Sequence, residues 1–383
     1  MFKKLLCLKN EGSRFVTARN NSMRKYRPVK QLGEGSFACV HQCVNDVTGE
    51  TVAIKHMKQK FESWNHCKRL REVQFLTQLK HENIIKCTEV ILEPNHELFL
   101  VFEFAPMNLW QLVKNKSQPL GLDLIKMFMA QLFSGLACMH KQGIFHRDIK
   151  PENLLICGDV LKIADFGCSR EIRSRPPYTC YVSTRWYRAP ELLLSSTSYS
   201  SPIDMWACGC ILGELFLSEN LFPGDSDIDM LHIISKKLGT FTKEGWPEGA
   251  KLLIHRNISL PIYQSYPLKS WFQSTEMATN REAQSLLNDL LCFDPNGRPT
   301  AQAALQHAFF DKETESLTKV SSVMQLDVDS ILRQITLDSP TNNVLLDTLI
   351  HVSSLEGKAN VLEDSVDLDD FLDEISRELL LNE

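Results

Sequence analysis

The sequence predicts an α+β fold in two lobes: a small antiparallel β lobe with one helix, and a large, mainly α-helical lobe. Three observations predict it. The chain has 383 residues, more than a single hydrophobic core usually organises. From Tyr26 it reads as strand, glycine-rich turn, strand. Further on, the amphipathic pattern of Cys67 to Leu79 and the apolar run Ala207 to Leu217 read as a surface helix and a buried one.

Composition bounds the function. Hydrophobic residues are 43% and charged residues 23%, with 17 Gly and 16 Pro, which excludes fibrous and wholly disordered classes. Net charge is −5, unevenly placed: residues 1–30 carry +8 and residues 321–383 carry −11. The near-neutral remainder has no global basic field, so no nucleic-acid partner is expected. Twelve cysteines scatter through apolar stretches with no CxxC, which points to reduced thiols in the cytoplasm or nucleus. Cys39, His41 and Cys43 alternate on one strand face, but three ligands without a fourth read as strand residues rather than zinc. No apolar run approaches the roughly 20 residues that cross a bilayer, so no membrane insertion is expected. Met1 to Leu8 is too short an apolar core for a secretory signal, and Phe2 excludes myristoylation. The Arg-rich, acid-poor leader also has transit-peptide composition; Met23 as a second start, with residues 1–22 an optional extension, is the simpler reading.

The first chemical signal is Gly33-Glu34-Gly35-Ser36-Phe37-Ala38-Cys39-Val40, following the strand Val29 to Leu32. Glycines let a backbone approach phosphate oxygens and aim N–H groups at them. Such turns are also common in plain hairpins, and Ala38 stands where a third glycine would complete GxGxxG. The next strand, Val52-Ala53-Ile54-Lys55, ends in a lysine that is costly to bury unpaired. Glu72 on the following helix can pair with it and hold the ammonium towards nucleotide phosphates; a surface Lys and a solvated Glu is the alternative. The densest signal is His146-Arg147-Asp148-Ile149-Lys150-Pro151-Glu152-Asn153, followed by Asp165-Phe166-Gly167. Phosphoryl transfer needs a carboxylate near the acceptor hydroxyl, oxygen ligands for Mg²⁺ and cations along the phosphates. These loops contain all three.

On these motifs the chain resembles the eukaryotic protein kinases from about Tyr26 to Phe310. The resemblance implies an ATP- and Mg²⁺-dependent serine/threonine kinase with a small lobe at 26–105, a large lobe at 106–310 and a cleft between them. It implies that Asp148 accepts the substrate hydroxyl proton, that Lys150 contacts the γ-phosphate, and that Asn153 and Asp165 ligate Mg²⁺. Leu32, Val40, Ala53 and Leu155 would sandwich adenine, with Phe102 beside it and Glu103 to Ala105 as the hinge. Structural roles are implied for Glu191 pairing Arg298, for Asp204 capping the catalytic-loop backbone, and for Leu76, His146 and Phe166 in an internal apolar column.

Within the activation segment, Tyr178-Thr179-Cys180-Tyr181 and Ser183 to Glu191 resemble the CMGC group, which holds the mitogen-activated and cyclin-dependent kinases. Residues 57–63, Gly143 to His146 and Pro177 to Thr179 are most similar to the male-germ-cell-associated, intestinal and MAPK/MAK/MRK-overlapping kinases, and Ala38 favours the last type. By that resemblance an upstream kinase phosphorylates Thr179 and Tyr181. Arg69, Arg147 and Arg170 would receive the first phosphate, and Arg185 and Arg188 the second. With Arg69 and Glu72 on one helix, phosphorylation would seat the Lys55–Glu72 pair. Cys180 departs from the Glu, Asp, Gly or Pro of relatives. Substrates would be Ser/Thr-Pro proteins, Ser339-Pro340 a self-substrate candidate, the enzyme a monomer, and cilium length control a place of action. A pseudokinase scaffold is the competing class; Lys55, Asp148, Asn153 and Asp165 are intact, against it.

The ends are distinct. Residues 1–25 form a basic extension and 311–383 an acidic tail, which also leaves a tail-mediated interaction protein as an alternative. Val366, Leu368, Phe371, Leu372, Ile375, Leu379 and Leu380 recur at helical spacing opposite acids, so an acidic amphipathic helix is predicted. It would dock on a partner or fold back on the kinase core.

Overall fold

In a computed structural model the described residues are 14–17, 22–115, 119–172, 174 and 185–311. They divide into two compact units that change over between Pro106 and Met107.

The first unit is a six-stranded sheet in the order β1-β5-β6-β4-β3-β2. Its strands are β1 (Arg14–Thr17), β2 (Tyr26–Glu34), β3 (Ala38–Asn45), β4 (Thr51–Lys60), β5 (Cys87–Leu92) and β6 (Glu97–Glu103). Alternation along β4 puts Val52 and Ile54 into a core with Tyr26, Cys43, Ile91 and Val101, and turns Ala53 and Lys55 to the other face. The sheet is antiparallel except at its edge, where β1 pairs parallel with β5. The N-terminal extension therefore contributes an edge strand, which the sequence reading did not anticipate. A 3₁₀ turn, Ser22–Lys25, leads into β2; its Met23 N–H donates to Glu93 Oε1 (3.2 Å), and Lys25 Nζ lies 2.7 Å from Glu89.

The helix expected over Cys67 to Leu79 is two: α1 (Trp64–Cys67) and α2 (Arg71–Gln78). Leu70, with ψ 125°, breaks the backbone between them. Gln74 stabilises the break, because its side-chain amide donates to the carbonyls of Lys68 (2.9 Å) and Arg69 (3.3 Å), which a continuous helix would bond internally.

The second unit is mainly helical: α3 (Leu109–Asn115), α4 (Leu122–Lys141), α5 (Pro190–Leu193), α6 (Pro202–Leu217), α7 (Asp227–Leu238), α8 (Pro247–His255), α9 (Arg281–Leu290) and α10 (Ala301–Ala304). α6 is buried on every side from Ile203 to Phe216, as its apolar run predicts. α4 is long and apolar enough to cross a bilayer, which the sequence reading passed over. Its apolar stripe, including Ile125, Phe128, Leu132 and Leu136, is buried where the helix packs on α6, α10 and a β-hairpin, so it is a core helix. The short strands β7 (Met107–Asn108), β9 (Leu154–Cys157) and β10 (Val160–Ile163) form one sheet, and β8 (Ile144–Phe145) with β11 (Arg170–Glu171) another. The residues between β8 and β9, and just after β10, are the loops with the densest chemistry.

Candidate active site

In the first unit, β2 and β3 close the glycine-rich turn with Gly33 opposite Val40 and Glu34 opposite Cys39. Gly35 N–H donates to the Ala38 carbonyl (2.8 Å), and Lys58 N–H to that of Phe37 (2.8 Å). A side chain added at Gly33 or Gly35 would meet nothing closer than 3.9 Å, so the turn presents bare backbone to open space, as a phosphate cradle requires. Glu34, Ser36 and Phe37 are exposed at the tip. A hydrogen bond from Lys58 holds the Glu34 carboxyl below its ordinary pKa, aided by Gln31. Ala38 stands without strain where a third glycine was expected, since its φ is not positive.

Lys55 Nζ donates to both carboxylate oxygens of Glu72, at 2.8 and 3.0 Å. The break before α2 leaves this pair intact because Glu72 sits in the helix's first turn. Leu32, Cys39, Val40, Ala53, Phe102 and Ala105 are half-buried. Ala53 lies opposite Phe102 across β4 and β6. Glu103 Oε1 accepts from Lys86 N–H at 2.8 Å.

In the second unit the catalytic-loop candidates form one network. Arg147 (φ 73°) and Asp165 (φ 62°) hold left-handed backbones, a conformation that persists only where surroundings enforce it. Asp204 enforces the first: its carboxylate accepts from His146 N–H (2.8 Å), Arg147 N–H (2.9 Å) and His140 Nε2 (2.9 Å). Burial would push the Asp204 pKa up, but the His140 hydrogen bond and charge hold it below its usual range. Asp148 Oδ2 accepts from Asn153 Nδ2 (2.9 Å) and pairs with Lys150 Nζ (3.1 Å), while its buried Oδ1 has no hydrogen-bond partner among the described residues. Burial opposes the Lys150 charge, yet the Asp148 and Glu152 carboxylates outweigh it and raise the pKa.

Asn153 also donates Nδ2 to the Asp148 carbonyl (2.9 Å), which leaves its own side-chain carbonyl directed away from Asp148. That oxygen and the exposed Asp165 carboxylate are hard donors of the type Mg²⁺ takes alongside nucleotide phosphates. Among the described residues, no group of three His, Cys, Asp or Glu could hold a metal, Cys39, His41 and Cys43 included. Leu155 is half-buried on β9, opposite Asn108 and Lys162. His146 stacks edge-on against Phe166 at 5.5 Å, both fully buried.

The arginines are placed unequally. Arg147 and Arg170 are buried, with Arg147 5.6 Å from the Tyr199 ring. Arg69 is exposed in the turn between α1 and α2, so it does not share a helix with Glu72 as expected; the Leu70 break separates them. Arg185 and Arg188 converge on one carboxylate, Asp227, at 3.3 and 3.2 Å. Thr179, Cys180, Tyr181, Ser339 and the tail lie outside the described residues.

Sequence reasoning missed Asp227 and Glu214. Asp227 follows the N-cap Ser226, so an acid at a helix start was the available signal. Glu214 is one of two acids in the apolar helix α6, with Asp204; its partner is the Tyr187 hydroxyl at 2.6 Å, which also accepts from Asn220 (3.2 Å). Burial, opposed by that hydrogen bond, pushes the Glu214 pKa up to about 7.

The protein kinase domain family matches residues 26–310, well over half of the chain. The chain therefore belongs to that family, and its antiparallel sheet and helical unit are the two lobes of the bilobal kinase fold. Among its relatives, it is 50% identical over 289 residues to serine/threonine-protein kinase ICK of Rattus norvegicus, an alignment taking in 75% of this chain and 45% of the relative. It is 47% identical to serine/threonine-protein kinase MAK of Homo sapiens (75% and 46%) and 47% identical to cyclin-dependent kinase F-3 of Oryza sativa subsp. japonica (76% and 66%). The chain thus spans under half the length of the first two. These likenesses put it among MAK- and ICK-like kinases of the CMGC type.

Proposed function

We propose that this protein is a serine/threonine protein kinase that transfers the γ-phosphoryl group of ATP to Ser or Thr hydroxyls followed by Pro. The observation that carries it is the Asp148 network. Asn153 and Lys150 hold one carboxylate oxygen, and the other has no hydrogen-bond partner among the described residues. A substrate hydroxyl donating to Oδ1 would be oriented for in-line attack and would deliver its proton there as the new O–P bond forms and the bond to the β-phosphate oxygen breaks. Mg²⁺, held through Asn153 and Asp165, supplies charge neutralisation on the phosphates when bound. Lys150 and the Lys55–Glu72 pair add cations along them, and the turn at Gly33 and Gly35 contributes backbone N–H groups. Leu32, Val40, Ala53, Phe102 and Leu155 would line the adenine site.

Turnover of Asp148→Asn on a Ser-Pro peptide tests this. A loss of at least a hundredfold with nucleotide binding retained is expected; wild-type turnover in the variant would remove Asp148 as the proton acceptor, and no turnover in the wild type would favour the pseudokinase scaffold.

The finer reading is activation by an upstream kinase at Thr179 and Tyr181. It is supported by the two buried arginines Arg147 and Arg170 and by the convergent pair Arg185 and Arg188, since guanidinium clusters order a phosphorylated segment. Because Arg69 lies outside α2, a phosphate it bound would act on the Lys68–Leu70 turn rather than along a continuous helix. Thr179→Ala, compared with wild type after mass-spectrometric confirmation of the phosphate, should be less active; equal activity would remove Thr179 as the switch. A cytoplasmic or nuclear location and action on cilium length are further parts of the proposal, resting on the family resemblance of the sequence motifs; imaging of the tagged chain in ciliated cells would check both. The acidic tail is proposed as a docking element.

A further inference from the structure

Within residues 254–266 the helical unit holds three large apolar side chains in solvent. Ile254 on α8 is 81% exposed, and Ile262 and Tyr266 in the following segment are 94% and 60% exposed. The backbone beneath them is well tied. Asn257, at φ 51°, reverses the chain at the helix end, and Ile258 N–H bonds back to Leu253 (2.9 Å). Thr240 then grips both sides of Ile262: its hydroxyl donates to the Pro261 carbonyl (2.6 Å) and accepts from Tyr263 N–H (3.0 Å), and its N–H donates to the Tyr263 carbonyl (3.0 Å). Ile262 therefore projects from a clamped backbone. Three large apolar groups exposed within 13 residues of a clamped backbone suit an interaction surface.

The surroundings are basic. Residues 236–270 carry six Lys or Arg against Glu244 and Glu248, a local +4 in a chain of net −5. Lys251 meets Glu248 at 3.1 Å, but both are largely exposed and such a pair contributes little. Exposed apolar residues within a segment of net positive charge suit an acidic amphipathic helix.

We propose that the occupant is this chain's own C-terminal segment, 366–380, docked on the surface marked by Ile254, Ile262 and Tyr266. Residues 361–383 carry nine acids against Arg377, a charge of −8, and the predicted helix puts Phe371, Leu372, Ile375 and Leu379 on one stripe. Fifty-five positions separate Asp311 from Val366, and a random chain of that length spans about 40 Å, enough to reach across a domain of this size. Fifteen helical residues span about 22 Å. Tethering gives an effective concentration on the order of 1 mM, so an intrinsic Kd near 100 μM keeps the surface about nine-tenths covered.

Hydrogen exchange read by mass spectrometry on the full chain tests the proposal. Amides of 366–380 should be protected in the wild type and exchange about tenfold faster in Ile254→Glu/Ile262→Glu, whose exposed sites leave the melting temperature unchanged. Phe371→Glu/Leu372→Glu should release residues 252–266 in turn, and 0.5 M salt should weaken both effects. Tail amides exchanging at the free-peptide rate in the wild type would overturn it, as would protection that survives Ile254→Glu/Ile262→Glu. Protection that rises with protein concentration alongside a sedimenting dimer would assign the surface to a second copy instead.

Discussion

Asp148 commits one oxygen to Asn153 and Lys150, and its other oxygen has no hydrogen-bond partner among the described residues. The chemistry itself restricts which residue types can stand there, so this site was legible residue by residue: a carboxylate, two hard oxygen donors and two lysines in fixed order. Glu214 was not, because its partner Tyr187 lies 27 positions away and only folding joins them. Its raised pKa has a consequence for stability. An unfolded carboxyl titrates near 4.5 and the folded one near 7, so the native state holds the extra proton between those values. Its contribution is present below the lower pH and lost as pH rises through 7, by about 3 kcal/mol in all. Urea titrations at pH 5 and pH 8 should show wild type losing more stability between the two than Glu214→Gln, which retains an acceptor for the Tyr187 hydroxyl. Glu152, also raised by burial, leaves a residual slope in both. An equal loss in variant and wild type would contradict the assignment.

Elements are joined by a few buried polar contacts whose removal is costly. Glu191 in α5 takes a two-pronged pair from Arg298 at 2.7 and 2.8 Å, and Arg298 also bonds the carbonyls of Cys292, Pro202 and Phe293. This ties α5, the start of α6 and the loop after α9 at one point. Replacing one partner leaves a buried charge uncompensated, so Glu191→Gln should destabilise by about 3 kcal/mol in urea denaturation. A change under about 1 kcal/mol would mean that the carbonyls alone satisfy Arg298. The pairing itself was readable from the motif order. The helix break was not: the apolar spacing of residues 67–79 is continuous, and only the Gln74 side chain shows why Lys68 to Leu70 leave the helix. The edge strand β1 was equally hidden, since four residues pair by backbone bonds that carry no side-chain pattern.

At the scale of the molecule, the residues proposed to handle phosphate fall in both units. Lys55 and Glu72 belong to the sheet unit; Asp148, Lys150, Asn153 and Asp165 belong to the helical one. Lys55→Met should therefore abolish turnover by about two orders of magnitude or more although the Asp148 network is untouched, and it should leave Glu72 buried without its cation. Wild-type turnover in this variant, measured with saturating nucleotide, would show that the sheet unit contributes binding alone. The charge distribution also belongs to this scale. A basic start, an acidic end and a +4 island in residues 236–270 are visible in composition, but the island gained meaning only when Ile254 and Ile262 proved exposed beside it.

The sequence alone determined the two-lobe plan and the family and carried the residues of the proposed chemistry, because phosphoryl transfer tolerates few residue types and their order along the chain survives without knowledge of contacts. Tertiary structure decided what depends on distance in space. It split the helix at Leu70, gave Arg185 and Arg188 a shared carboxylate in Asp227, and left one buried Asp148 oxygen without a hydrogen-bond partner among the described residues. Such contacts join residues tens of positions apart, and which of them form is settled by packing rather than by any local pattern.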